Sequence, residues 1–192
     1  MKEKIPDLSG LVKASLMAAL MVVGAYLKVP IGPVPIVLSN MFVLLAGLLL
    51  GGRLGAASVG IYLLLGAAGL PVFSGGGGIA RFAGPTGGYL VGYLPAAFLT
   101  GIISEKGKGS PVIEIAALFT GALTIYLFGV PWLKQVLELS WERALIMGML
   151  PFLPGDAIKA GIAFGLSRLL HRTIPDFFPA LNGERDEFES IK

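Results

Sequence analysis

The sequence predicts an all-α membrane protein of six transmembrane helices with both termini in the cytoplasm. Three observations carry that prediction. Hydrophobic residues make up 55% of the 192 positions, charged residues only 14%, and the mean hydropathy is +0.80; a soluble domain carries about a quarter charged residues. The apolar residues fall into runs long enough to cross a hydrocarbon core of ~30 Å, and Gly- and Pro-rich segments separate the runs. Lys and Arg are unevenly shared between the ends of those runs. With the N-terminus inside, Lys2, Lys4, Lys13, Arg53, Lys106, Lys108, Arg168, Arg172, Arg185 and Lys192 lie inside, and Lys28, Arg81, Lys134 and Arg143 lie outside. The positive-inside rule favours that orientation.

The first predicted span is Leu11–Lys28. Ala14 and Ala18 recur on one of its faces, with Ser15 and Ala19 beside them, and such spacing lets another helix approach closely. Val29–Pro35 holds three prolines, which remove donors and bias their predecessors to extended backbone, so it reads as a loop. The second span is Ile36–Leu50, with Ser39 and Asn40 near its start, and a turn at Gly51–Gly55 leads into a third, Ala56–Leu70.

Pro71–Gly88 is too apolar for an ordinary linker and too rich in Gly for a helix. Glycines permit positive φ and close backbone approach, so Gly75, Gly76 and Gly77 suit a lid folded over a ligand. Phe73, Phe82, Thr86 and Tyr89 supply pocket-lining chemistry. A fourth span, Tyr89–Ile103, a charged turn at 104–110 and a fifth span, Val112–Val130, follow. Residues 131–141 read as a short interfacial helix anchored by Trp132 and Trp141 in the headgroup zone. The sixth span is Glu142–Leu169. The organisation expected is a membrane domain over 1–178 and a polar, mobile tail over 179–192.

Within the sixth span, every residue from Ala144 to Leu166 except Asp156 and Lys159 is apolar, Gly or Pro. A bare charge at the bilayer centre costs about 2.5–3.5 kcal/mol on insertion scales. Residues three apart share a helix face, so one inward face carries an acid and a base one turn apart. Pro154 suits a first helical turn or a kink, and Gly155 lets another backbone come close. An internal ion pair that merely clips helices is the structural alternative. Apolar replacements for such a pair are often neutral or stabilising, so ligand binding is favoured.

Several function classes fall away. The net charge of +3 comes from residues near the membrane surfaces and suggests no nucleic-acid partner; the absence of cysteine excludes disulfides and thiolate metal sites. There is no G-x-x-x-x-G-K-[ST], HExxH or GxSxG pattern, so no ATP hydrolysis by this chain and no metal or nucleophile site is predicted. His171, Glu114 and Glu142 read as interfacial.

The strings Gly32–Pro35, Phe42–Gly51, Leu70–Phe73, Gly84–Tyr89 (GPTGGY) and Pro154–Lys159 (PGDAIK) occur in an order that resembles BioY proteins. These are the biotin-specific substrate-binding (S) components of energy-coupling factor (ECF) transporters. The resemblance covers nearly the whole chain except the C-terminal tail. It implies capture of biotin at the outer face of a prokaryotic plasma membrane, and an energising module of a transmembrane coupling subunit and ATPases that use the ATP. It also implies that Asp156 and Lys159 bind biotin, with Thr86, Tyr89, Phe73, Gly75, Gly76, Gly77, Arg81 and Asn40 as further candidates. Arg81 is the candidate partner of the biotin carboxylate. The Ala14/Ala18 face is implied to meet the coupling subunit, and no cofactor or metal is implied. The residues themselves agree with that ligand: an ionised Asp accepts and a Lys donates, which matches a ureido edge. An S component for another vitamin, an intramembrane enzyme and a structural assembly subunit are the competing readings.

Overall fold

The computed structural model describes residues 8–30 and 32–174. The tail predicted at 179–192 lies outside the described residues. In chain order these residues form α1 (Leu8–Tyr26), β1 (Lys28–Val29), β2 (Ile36–Val37), α2 (Ser39–Ala67), α3 (Ala80–Ala83), α4 (Gly87–Lys106), α5 (Pro111–Val136), α6 (Trp141–Gly148) and α7 (Leu153–Thr173). Four of the helices, α1, α2, α4 and α5, are long and apolar enough to cross a membrane. The pair α6 and α7, bent by 46°, makes a fifth candidate.

The 29-residue α2 is not one straight rod. Gly51 has φ 77 and ψ −179 inside it, a conformation that only glycine adopts without strain. In a straight helix residues eight apart lie about 12 Å apart along the axis. Here a Cβ built on Gly55 would stand 3.0 Å from the Cα of Gly47, so the chain folds back on itself at Gly51. The two predicted spans on either side of Gly51–Gly55 are the two arms of this hairpin. The turn is narrower than the sequence suggested, and helical hydrogen bonding resumes at once after Gly51.

Small residues bring the next layer in. A Cβ on Gly47 would meet the carbonyl of Ala97 at 2.6 Å, and one on Gly101 would meet the backbone nitrogen of Gly52 at 2.2 Å. Between helices surrounded by lipid, packing of this kind replaces the hydrophobic drive available in water. Leu45, Leu48 and Leu49 of α2 and Ala96 and Ala97 of α4 fill the centre of the core.

Helix α1 packs on the first arm of α2, where Gly24 lets the backbone at Leu38 and Ser39 approach. That packing corrects one expectation. Ala14 and Ala18 are 1% and 2% exposed, so they face the protein's own interior and offer no free docking face. The small residues that α1 leaves exposed are Ser9, Ser15 and Ala19.

Two further expectations change at the C-terminal side. The interfacial helix proposed for 131–141 does not exist as a separate element. Residues 131–136 continue α5 through Pro131, and the chain turns at 137–140, with Glu138 at φ 52. The sixth span is broken: α6 ends at Gly148, and α7 begins at Leu153 with Pro154 in its first turn. Pro lacks the N–H that a first turn leaves unpaired anyway, so Pro154 starts a helix rather than kinking one. Gly155 has open space where a Cβ would be and therefore admits no neighbouring backbone.

At the end of the bundle opposite the β-hairpin, Glu114 is fully buried and pairs with Arg168 at 3.3 Å. Arg168 also donates to the Gly109 carbonyl at 2.7 Å. Glu114 is thus an interior acid in the first turn of α5, where the helix dipole favours negative charge. It is not the interfacial residue expected.

Candidate functional site

A cavity of about 560 Å³ opens at the end of the bundle that carries the β-hairpin and the Gly-rich segment. That size lies within the range of small-molecule sites, about 300–1,000 Å³. Nine of the ten binding candidates from the sequence line it: Asn40, Phe73, Gly75, Gly77, Arg81, Thr86, Tyr89, Asp156 and Lys159. The tenth, Gly76, does not. It closes a tight turn with Phe73 through reciprocal backbone bonds of 2.9 and 3.0 Å, at φ 113.

The polar end of the cavity is built from three helices. Asp156 and Lys159 stand one turn apart at the start of α7 and are 2.7 Å apart. Asn40, in the first turn of α2, donates to Asp156 Oδ1 at 2.9 Å and accepts from Lys159 Nζ at 3.0 Å. Lys159 also donates to the Val37 carbonyl at 2.9 Å. From α5, the Tyr126 hydroxyl donates to Asp156 Oδ2. The charges therefore sit in the first turns of α7 at the cavity end of the bundle, and each is hydrogen-bonded as well as paired. A buried pair with unsatisfied lone pairs or protons is costly; this one has few.

Aromatic rings make the walls. Phe73 stacks edge-on against Tyr62 at 5.2 Å and Phe82 at 5.7 Å, and it occupies the space a side chain at Gly66 would need. Tyr89 lies over Gly129, where a Cβ would come within 2.3 Å of its ring, and donates to the Gly148 carbonyl at 2.7 Å. Tyr93 and Phe152 complete the apolar lining.

The Gly-rich segment lines the cavity and is tied down on both sides. Tyr26 of α1 donates to the Pro71 carbonyl and Lys28 of β1 to the Ser74 carbonyl. Trp132 donates to the Gly84 carbonyl at 2.9 Å from α5. Arg81 lies across Gly75, whose missing Cβ would stand 2.4 Å from the guanidinium. Among the described residues Arg81 has no hydrogen-bond or ion-pair partner. With the Asp156–Lys159 pair neutral overall, the exposed Arg81 gives the cavity one uncommitted positive charge. That arrangement suits an apolar ligand with a hydrogen-bonding head and an anionic tail.

Sequence reasoning missed Tyr126, Tyr93, Tyr62 and Phe152 as cavity residues. The signal available was a tyrosine within an otherwise aliphatic span, since a buried Tyr hydroxyl usually has a polar partner to reach. It does not say which partner.

Comparison with known proteins agrees with this geometry. The family model described as the BioY family matches residues 1–176. A probable biotin transporter BioY of Pyrococcus horikoshii is 45% identical over 150 residues, covering 78% of this chain and 88% of its own. The biotin transporter BioY of Rhizobium etli is 43% identical over 170 residues, covering 82% and 90%. A crystal structure of the S-component for biotin from an ECF-type ABC transporter superposes with a TM-score of 0.80. It is 36% identical and covers 85% of this chain and 91% of that one.

Proposed function

The chain belongs to the BioY family, and on that premise we propose that it captures biotin in this cavity and delivers it into the cell as the substrate-binding component of an ECF transporter. The observation that carries the reading is the set of groups that line one cavity. They are the hydrogen-bonded cluster of Asn40, Tyr126, Asp156 and Lys159, aromatic and glycine surfaces, and the exposed Arg81, which has no partner among the described residues. Biotin offers a counterpart to each: a ureido ring with donors and an acceptor, an apolar thioether ring and a carboxylate tail. The relatives are transporters rather than enzymes, and nothing in the reading requires chemistry on the ligand or a cofactor.

Transport against a gradient needs an energy source that this sequence lacks, so a transmembrane coupling subunit and ATPase subunits are the partners expected. Cells that make the chain together with such a module should accumulate labelled biotin from the medium. Cells with the module alone should not; equal accumulation in both would count against the reading.

The protein is a multi-pass membrane protein, and we read it as crossing a prokaryotic plasma membrane six times. The hairpin α2 supplies two crossings, α6 and α7 together one, and α1, α4 and α5 one each. An even number returns the C-terminus to the side of the N-terminus, and the distribution of Lys and Arg makes that side the cytoplasm. The cavity then faces outward. Both test positions are exposed: Lys106 at the end away from the cavity and Gln135 at the cavity end. In intact cells Gln135→Cys is expected to react with an impermeant thiol reagent, and Lys106→Cys only after permeabilisation. The reverse pattern would turn the cavity toward the cytoplasm and contradict capture from outside.

A further inference from the structure

The tip of the α2 hairpin, at the end of the bundle away from the cavity, carries a second concave surface. A groove of about 580 Å³ runs between the tip and α4, lined by Leu50, Arg53 and Leu54 on one side and by Phe98, Ile102 and Glu105 on the other. Phe98, Ile102 and Glu105 follow one another at spacings of four and three residues, so they share one face of α4. That stretch of helix covers about 10 Å along the axis, and α4 ends at Lys106. The groove is therefore apolar where it runs into the span and charged where it leaves it. Phe98 is 39% exposed, so in a membrane the apolar end is open to acyl chains.

The two charges are held differently. Glu105 Oε1 accepts from the Gly52 backbone N–H at 3.1 Å and occupies the space that a Cβ at Gly51 would need. The carboxylate is thus seated on the hairpin tip, at the start of the second arm of α2, with Oε2 left over. Arg53 is exposed and, among the described residues, has no hydrogen-bond or ion-pair partner. Arg53 and Glu105 line one groove without pairing with each other, since the ion pairs among the described residues are Asp156–Lys159 and Glu114–Arg168. Neither charge takes part in the cavity at the other end of the bundle.

We propose that this groove binds one phospholipid whose headgroup carries both a phosphate and a primary ammonium, a phosphatidylethanolamine. Arg53 takes the phosphate, which a guanidinium holds through two parallel N–H bonds. Glu105 Oε2 takes the ammonium, and an acyl chain lies along Ile102 and Phe98. The chemistry of the groove, two opposite charges at the end of the span and an apolar ridge beneath them, follows that of the lipid. A purely anionic headgroup offers the carboxylate nothing and is repelled by it, and a trimethylated amine has no N–H to donate to it. The site goes beyond biotin capture and does not depend on it.

Native mass spectrometry of the purified full chain tests the assignment, with equal amounts of phosphatidylethanolamine, phosphatidylcholine and phosphatidylglycerol of identical acyl chains added in detergent. Phosphatidylethanolamine should be retained over phosphatidylcholine by about tenfold, the scale of one charge-assisted hydrogen bond. Glu105→Gln keeps an acceptor for the Gly52 N–H but loses the charge, and should bring those two lipids within about twofold of each other. Arg53→Ala should lower retention of all three by about fivefold, the scale of one basic side chain at a lipid surface. Lys106→Ala removes a cation at the same end but outside the groove, and should retain lipid as wild type does. Thermal melting shows that each variant is folded. Arg53 is exposed, so its variant decides the matter even if Glu105→Gln unsettles the hairpin tip.

The proposal is overturned if wild type retains none of the lipids, or holds phosphatidylcholine or phosphatidylglycerol as well as phosphatidylethanolamine. It is equally overturned if Arg53→Ala retains phosphatidylethanolamine as wild type does, or if Lys106→Ala loses as much as Arg53→Ala.

Discussion

Asp156→Asn is expected to weaken biotin binding by about 3 kcal/mol, roughly two orders of magnitude in Kd. The side chain keeps its shape, but the charge opposite Lys159 disappears while Lys159 stays 9% exposed. Removing one member of a buried pair leaves the other uncompensated, a loss of about 3–5 kcal/mol in well-buried cases. The new amide also places its N–H₂ either toward the Tyr126 hydroxyl or toward the donors Asn40 and Lys159. In the second orientation a donor faces donors; in the first, Tyr126 has to accept instead of donate. Calorimetry in detergent, with thermal melting alongside to show that the variant is folded, reads the effect. Wild-type affinity in a folded Asp156→Asn chain would remove this carboxylate from the site.

Gly101→Leu should have the largest effect on folding, at least about 3 kcal/mol. A Cβ at this position would stand 2.2 Å from the backbone nitrogen of Gly52 and 2.3 Å from the carbonyl carbon of Gly51. Backbone atoms at the tip of the α2 hairpin cannot rotate away as a side chain would. Helix α4 must therefore separate from both arms of α2, losing the contacts of Gly47 and Thr100 as well. Gly60→Leu is the matched control, because a Cβ on Gly60 meets nothing within 4 Å. Melting curves should place the Gly60 variant near wild type and the Gly101 variant far below it. Equal stability of the two would mean that the α2–α4 contact does not hold the bundle together.

The contrast between these glycines bears on what a sequence can reveal. Gly51 and Gly52 were legible as a turn because two glycines interrupted an apolar run, and the reversal they make is what the structure contains. Gly101 and Gly47 carry no local signal, since their role depends on which helix lies opposite. Ala14 and Ala18 failed for the same reason: small-residue spacing marks a face for close packing but not whether the partner is within the chain. Residues 131–136 misled through composition, because a Pro and flanking tryptophans resemble an interfacial segment while α5 simply continues.

At the site, Asp156 and Lys159 were legible from their isolation in an apolar stretch, where charge is expensive enough to need a reason. The Gly-rich segment was legible as pocket-lining from its glycines and aromatics, while Arg81 came in only through the resemblance; both line the cavity. Tyr126 was not legible, because an isolated tyrosine in a span is compatible with many partners.

Native mass spectrometry of the purified chain, without nucleotide or partner subunits, tests the central claim most directly. After exposure to an equimolar mixture of biotin and other water-soluble vitamins, the account predicts one biotin per chain, retained by wild type and lost in Asp156→Asn. A chain that retains a different vitamin, or that leaves biotin unbound at concentrations well above those of a capture protein, would contradict it.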